Sequence, residues 1–318
     1  MSFKDELQGL TTEGRNQATM NIDTASTTEI VSLITREDQA VFRAVQQEVP
    51  RIVQAADLLT NVLKQGGRII YMGAGTSGRL GVLDAAELLP TFGVGQEQVT
   101  ALIAGGNEAM FVAVELAEDD RELGLADFLA ENPTDKDALL GIAASGRTPY
   151  VIGPMERARE MGLVTIGLTC NPHSELSKIA HVTIAPVVGP EAVTGSTRMK
   201  AGTAQKIVLN ALSTTVMIKI GKVYQNLMVD MVPTNAKLKL RAEQIVYEVT
   251  GAPLDSIRRT LEGSSYNIKT AIVMLKANCQ LEAAEALLVR AEGVVGRALQ
   301  IVAKEGMGSE GTKEEDVQ

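Results

Sequence analysis

Short apolar runs that alternate with helical stretches predict an α/β protein whose parallel sheet is covered on both faces. Two further observations place a ligand on that sheet. A glycine turn rich in hydroxyls leads from the first run into a helix, and a later run ends in a second turn that repeats Ser-Gly-Arg.

The strand-like runs are residues 68–72, 99–103, 138–144, 164–168 and 182–185. Ahead of them, residues 1–25 are polar and weakly patterned and read as an arm or a mobile end. Ser26-Thr27-Thr28-Glu29 spells a capping box that opens a helix. The pattern over 36–64 continues as helix to Gly66-Gly67, with Pro50 expected to bend or divide it. Past Gly202 the texture is helical, and 201–220 is apolar nearly all round, as in a helix buried in the core or against another subunit. A boundary is read at Thr250-Gly251-Ala252-Pro253, followed by helical stretches at 254–261, 266–277 and 281–303 and a disordered end. The organisation is therefore an arm with helices (1–50), an α/β domain (51–250), a small C-terminal helical appendage (251–305) and a tail (306–318).

Composition narrows the function. A chain of 318 residues with a formal charge of -9 lacks the clustered basic surface that binds nucleic acid. No leader opens it, and no apolar run approaches the roughly 20 residues that span a bilayer. Cys170 and Cys279 offer no disulfide framework, so the sequence reads as a soluble cytoplasmic protein. The two histidines, His173 and His181, have no metal-ligating companions nearby, and they read as structural residues with no metal to hold.

Gly73-Ala74-Gly75-Thr76-Ser77-Gly78-Arg79 follows the first strand and opens a helix. Glycines admit a close backbone approach, and free N–H groups at a helix start favour an anion. Gly73, Gly75 and Gly78 match a dinucleotide fingerprint, but the next strand ends in Ala104-Gly105-Gly106 without the acid that holds a ribose. Arg79 and Leu80 stand where a P-loop needs a lysine and a metal-binding hydroxyl. The motif is thus a cradle for a smaller phosphate ester, with no nucleotide cofactor, or else a tight structural turn. The second turn, Ser145-Gly146-Arg147-Thr148-Pro149, carries the same chemistry, with proline placed as in a helix's first turn. A third segment, Thr194-Gly195-Ser196-Thr197-Arg198-Met199-Lys200, adds hydroxyls and two cations, which either face the ligand or are solvated surface charges.

With histidine scarce, proton transfer falls to carboxylates. Glu87 closes the helix opened by the first turn, just before Pro90. A helix read over 107–123, capped by Asn107, would carry Glu108, Glu115, Glu118, Asp119 and Glu122 on one stripe, with Glu118 half-buried at its apolar edge. Half-burial would raise its pKa toward neutrality. Periodicity alone does not choose among Glu108, Glu115 and Glu118, and on periodicity alone the stripe reads first as a solvated acidic face.

The segments 73–87, 143–151 and 193–206 together resemble the signatures of the N-acetylmuramic acid 6-phosphate etherases, within the sugar isomerase (SIS) fold family, over about Glu13 to Ala303. The resemblance implies an SIS-type parallel-sheet sandwich and cleavage of the substrate's lactyl ether to N-acetylglucosamine 6-phosphate and D-lactate during cell-wall recycling. It also implies elimination followed by hydration, without metal or nucleotide. By motif position Glu87 is the implied acid and Glu118 the implied base. Gly75, Thr76, Ser77, Ser145, Gly146, Arg147, Thr148, Ser196, Thr197 and Lys200 are the implied substrate-binding residues. Leu88-Leu89-Pro90 departs from the family's usual cysteine and paired prolines, which bears on how Glu87 is aimed. A homodimer is implied too, each site able to borrow residues from the neighbouring subunit. The rival readings are a sugar-phosphate sensor similar to the glucokinase regulatory protein, and an aldose-ketose isomerase. The sensor would not need both glutamates, and the isomerase often recruits a histidine.

Overall fold

A computed structural model describes residues 11–114, 116–233 and 235–310. They fall into two compact units, one running to Ala86 and resuming over Gly95–Val216, the other formed by Glu87–Val94 and the chain from Met217 onward.

The first unit opens on short 3-10 turns and three helices, α1 (Thr27–Glu37), α2 (Gln39–Gln47) and α3 (Val49–Lys64). The capping box forms as expected: Glu29 N donates to Ser26 Oγ and Ser26 N to Glu29 Oε2. Pro50 sits in the first turn of α3, where its missing N–H is not needed. The segment read as a mobile arm is anchored over its described part. Thr11 N donates to Asn171 Oδ1 at 2.8 Å, Thr19 Oγ1 to Ala192 O at 2.8 Å, and Thr12 is buried. Residues 1–10 lie outside the description.

The sheet comprises β1 (Ile69–Gly73), β2 (Val99–Ile103), β3 (Ala138–Ile142), β4 (Val164–Leu168) and β5 (Val182–Ile184), all parallel, in the order β2-β1-β3-β4-β5. Ile69 is in register with both Val99 and Ala138. Every residue of β1 and β3 is buried, which is why these strands read as unbroken apolar runs instead of alternating ones. Ile70, Met72 and Leu139 pack with Phe128, Tyr150 and Met155 on one face. The opposite face of β1 presents Tyr71, whose hydroxyl donates to the half-buried Asp84 on α4 (Gly75–Phe92). Burial pushes the Asp84 carboxyl above its ordinary range, although hydrogen bonds from Ser213 and Tyr71 oppose the rise.

The helix read over 107–123 is not formed. Gly105 and Gly106 take positive φ, short 3-10 turns occupy Gly106–Met110 and Ala117–Asp119, and Leu116 between them sits at φ 69. Arg79 donates to the carbonyls of Met110 and Val112, acceptors that a continuous helix would use for itself. Asp120, not Asn107, is the cap, accepting from Leu123 N at the start of α5 (Arg121–Ala130). The acidic stripe therefore has no helix to lie on, and Glu115 is outside the description.

Helices α6 (Pro149–Glu160) and α7 (Glu175–Ile179) cover the sheet, and α8 (Lys200–Lys219) follows the third hydroxyl-rich segment. Within this chain, α8 buries one face of 201–220. Ala201, Ala204, Val208, Leu212 and Val216 form one buried stripe, while Thr203, Lys206, Asn210 and Thr214 are exposed.

The second unit contains α9 (Ala236–Thr250), α10 (Leu254–Gly263), α11 (Ile268–Ala277), α12 (Leu281–Arg290) and α13 (Val295–Glu310) around a core including Ile245, Ile257, Leu261, Ile272 and Leu288. The turn at 250–253 joins α9 to α10 inside this unit, with Gly251 as a left-handed cap. Glu292 and Gly293 at positive φ divide the helix read over 281–303. Helix α13 continues through Glu310, where a disordered tail was expected, and 311–318 lie outside the description. A two-stranded hairpin, β6 (Val223–Tyr224) and β7 (Leu227–Met228), was not read from the sequence. Its strands are too short to show a period.

Candidate active site

The order β2-β1-β3-β4-β5 reverses direction between β1 and β3, so the loops leaving their carboxyl ends diverge and open a crevice, the usual ligand position in such sheets. The first and second glycine turns leave these two strands, and they line one cavity of about 500 Å³. Its wall comprises Ala74, Gly75, Thr76 and Ser77 from the first turn, and Ala144, Ser145, Arg147, Thr148 and Pro149 from the second. Gly195 and Thr197 come from the third segment, and Glu13, Glu118 and Asp119 complete it.

The first turn is held by close backbone contact. A Cβ on Gly78 would lie 2.7 Å from Gly73 O and 2.6 Å from Ile103 Cγ1, so only glycine lets the chain fold back from β1 into α4. Gly78 N donates to Ala74 O as an early bond of α4, and the N–H groups ahead of it lack helical acceptors. In the second turn Gly146 sits at φ 68, and a Cβ there would overlap Ser174 Oγ. Thr148 stands at the N-cap of α6 with no capping bond from its side chain, which leaves that hydroxyl to the cavity. Glu191 braces the third segment, its carboxylate accepting from Lys200 N and Ala201 N, each at 2.9 Å. Burial pushes that carboxyl up.

Of the residues expected to bind substrate, Gly75, Thr76, Ser77, Ser145, Arg147, Thr148 and Thr197 line the cavity. Gly146 shapes the second turn from behind, and Ser196 does not line the wall. Lys200 does not line it either: its ammonium is buried and paired with Glu37 at 2.8 Å. Glu118 lines the cavity on the turn Ala117–Asp119, but it is exposed, not half-buried. Glu87 is exposed in the second unit and is not among the lining residues. Glu13 had been read into the polar arm. The one sequence signal for it was that the family resemblance begins there.

His181 Nδ1 accepts from Thr165 N at 3.1 Å, and burial, then the Arg159 charge, lowers its pKa, which makes it a strand-end brace. Cys170 is buried, and that burial, with the Glu191 charge, pushes its thiol up to about 12. Among the described residues no cluster has the composition of a metal site, and no helix is long and apolar enough to cross a membrane.

Residues 51–159 match the family model of the glucokinase regulatory protein N-terminal SIS domain. Among solved structures, the phosphoheptose isomerase from Francisella tularensis is 19% identical with a TM-score of 0.47, covering 61% of this chain and 99% of that one. The Vibrio vulnificus NanR protein complexed with ManNAc-6P is 15% identical with a TM-score of 0.42, covering 73% of each chain. The N-acetylmuramic acid 6-phosphate etherase of Pectobacterium atrosepticum is 56% identical over 290 residues, covering 91% of this chain and 96% of that protein. The one from Clostridium beijerinckii is 51% identical over 294 residues, covering 92% and 97%. With half its residues shared over nearly its whole length, the chain belongs to the N-acetylmuramic acid 6-phosphate etherase family.

Proposed function

We propose that this protein cleaves the lactyl ether of N-acetylmuramic acid 6-phosphate, giving N-acetylglucosamine 6-phosphate and D-lactate in cytoplasmic cell-wall recycling. The observation that carries the reading is that Glu118 and both strand-end turns line a single cavity. Its volume lies in the usual range for small-molecule sites, about 300–1,000 Å³.

The phosphate is taken by the free N–H groups at the start of α4 together with Thr76, Ser77, Ser145, Thr148 and Thr197, with Arg147 supplying positive charge. Oriented dipoles of this kind bind an anion locally in a chain whose net charge is -9. The sugar ring opens, and Glu118 removes the C2 proton beside the aldehyde. The C3–O bond then breaks with the electron pair leaving on the lactate oxygen. Glu87 protonates that oxygen, and water adds back at C3. The route draws on two carboxylates in opposite protonation states and on neither metal nor nucleotide.

Glu87 is exposed, which leaves it available to the cavity of a neighbouring subunit in a homodimer. Phe111, Val112, Val114 and Leu116, exposed apolar residues within one short segment, support such an interface. Incubation with N-acetylmuramic acid 6-phosphate and enzymatic detection of D-lactate tests the activity. Stoichiometric lactate is the expected result. Binding without lactate would instead favour a sensor, and an isomerised sugar would favour an isomerase.

A further inference from the structure

Gln205 on α8 is fully buried, and its side-chain nitrogen Nε2 has no hydrogen-bond partner among the described residues. Its oxygen Oε1 accepts from Ser77 Oγ at 2.9 Å. Ser77 in turn lines the cavity on the first turn of α4. The two helices meet closely here: a Cβ on Gly202, one turn before Gln205, would lie 3.2 Å from Thr76 Cγ2. The amide therefore sits directly behind a wall hydroxyl, in a place water does not reach.

In this arrangement the Ser77 proton points away from the cavity, toward Gln205, and a buried amide nitrogen is left unpaired. The first feature is unfavourable for holding an anion, and the second carries the cost of an unsatisfied buried donor. Rotating the amide by half a turn exchanges oxygen and nitrogen, which have nearly the same shape. Nε2 then donates to Ser77 Oγ, and the Ser77 proton is freed for another acceptor, which an anionic oxygen in the cavity supplies. We propose that Gln205 is a positioning residue that, by donating to Ser77 Oγ, commits the Ser77 hydroxyl to donate to the anionic group of the bound ligand. The inference rests on the phosphate-ester reading of the cavity and adds to it how one wall donor is oriented.

A double-substitution cycle tests it, using Ser77→Ala, Gln205→Glu and the pair. Two readouts are taken: the KM and kcat of lactate release, and calorimetric binding of inorganic phosphate, which requires no reaction. An ionised carboxylate at 205 can only accept and so holds the Ser77 proton away from the cavity, an effect read at a pH high enough to keep it ionised. The expected result for Gln205→Glu is a rise in KM and in the phosphate Kd of about tenfold to a hundredfold, the range for a hydrogen bond to a charged group, with a much smaller change in kcat. In the Ser77→Ala background the same change should add little, because the hydroxyl through which it acts is gone. Multiplying effects would overturn the proposal, since direct charge repulsion or a general loosening of α8 persists without Ser77. Should Gln205→Glu not fold, Gln205→Met serves in the cycle. It should raise the phosphate Kd severalfold in the Ser77 protein alone, and an equal rise in both backgrounds would overturn the proposal. Phosphate coupling without lactate release would sink the etherase reading and leave Gln205's role standing, whereas a protein that binds neither ligand would sink both.

Discussion

The Lys200 ammonium lies 2.8 Å from Glu37 Oε2, with 3% of the lysine side chain and 21% of the glutamate side chain exposed. Asn16 Nδ2 donates to the same carboxylate. A cation that the motif assigned to the ligand is thus a structural tie between α1 and the start of α8. Removing one charge from such a pair strands the other where water is nearly excluded. Glu37→Gln should destabilise the protein by about 3–5 kcal/mol in denaturant titrations, whereas Glu37→Leu combined with Lys200→Met should be close to neutral.

The pH dependence of stability follows from Glu37 and Asp137. Burial tends to raise both carboxyls, but the effect is outweighed at Glu37 by Lys200 and Asn16, and at Asp137 by Arg68 and the Thr134 N–H, so both lie below the usual range. For a depressed acid the added stability is present above its unfolded pKa and is lost as pH falls through the folded value. Thermal unfolding should therefore show Tm declining on the acid side, and Asp137→Asn should flatten that decline while lowering Tm at neutral pH. A Tm profile unchanged in shape would contradict the assignment.

Gly78→Ala places a methyl group against Gly73 O and Ile103, and the backbone atom cannot yield. The expected cost is about 1–3 kcal/mol, as for other overpacked sites. The start of α4 must shift, so phosphate binding should weaken along with stability. A variant with native Tm and native phosphate affinity would show that the turn has more room than its geometry allows.

Much of this was legible in the sequence because burial leaves a strong mark there. The strands at 99–103 and 164–168 match Val99–Ile103 and Val164–Leu168 residue for residue, and Ser26 and Pro149 announced their helix starts. The meeting of the two Ser-Gly-Arg turns was readable too, since a parallel sheet gathers such turns at one edge. What failed depended on backbone conformation that composition conceals. Leu116 adopts a left-handed φ that leucine rarely takes, and this breaks the helix on which the acidic stripe was drawn. Lys200 failed for a different reason: its partner Glu37 lies 163 residues away, beyond any local pattern.

If Glu87 serves the neighbouring subunit, two inactive proteins should repair each other. A dimer of one Glu87→Gln and one Glu118→Gln chain has one site with both glutamates intact and one with neither. Random exchange of subunits should then restore about a quarter of wild-type lactate release. A mixture that stays inactive after verified exchange would contradict delivery across the interface.

The most direct measurement concerns Glu118. Lactate release should be followed in the Glu118→Gln protein beside the wild type, with deuterium incorporation at C2 of the sugar product scored in heavy water. A fall of at least about a hundredfold, the usual contribution of a general base, is expected, with folding and inorganic phosphate binding retained. Lactate release at more than a small fraction of the wild-type rate, with deuterium still entering C2, would contradict it.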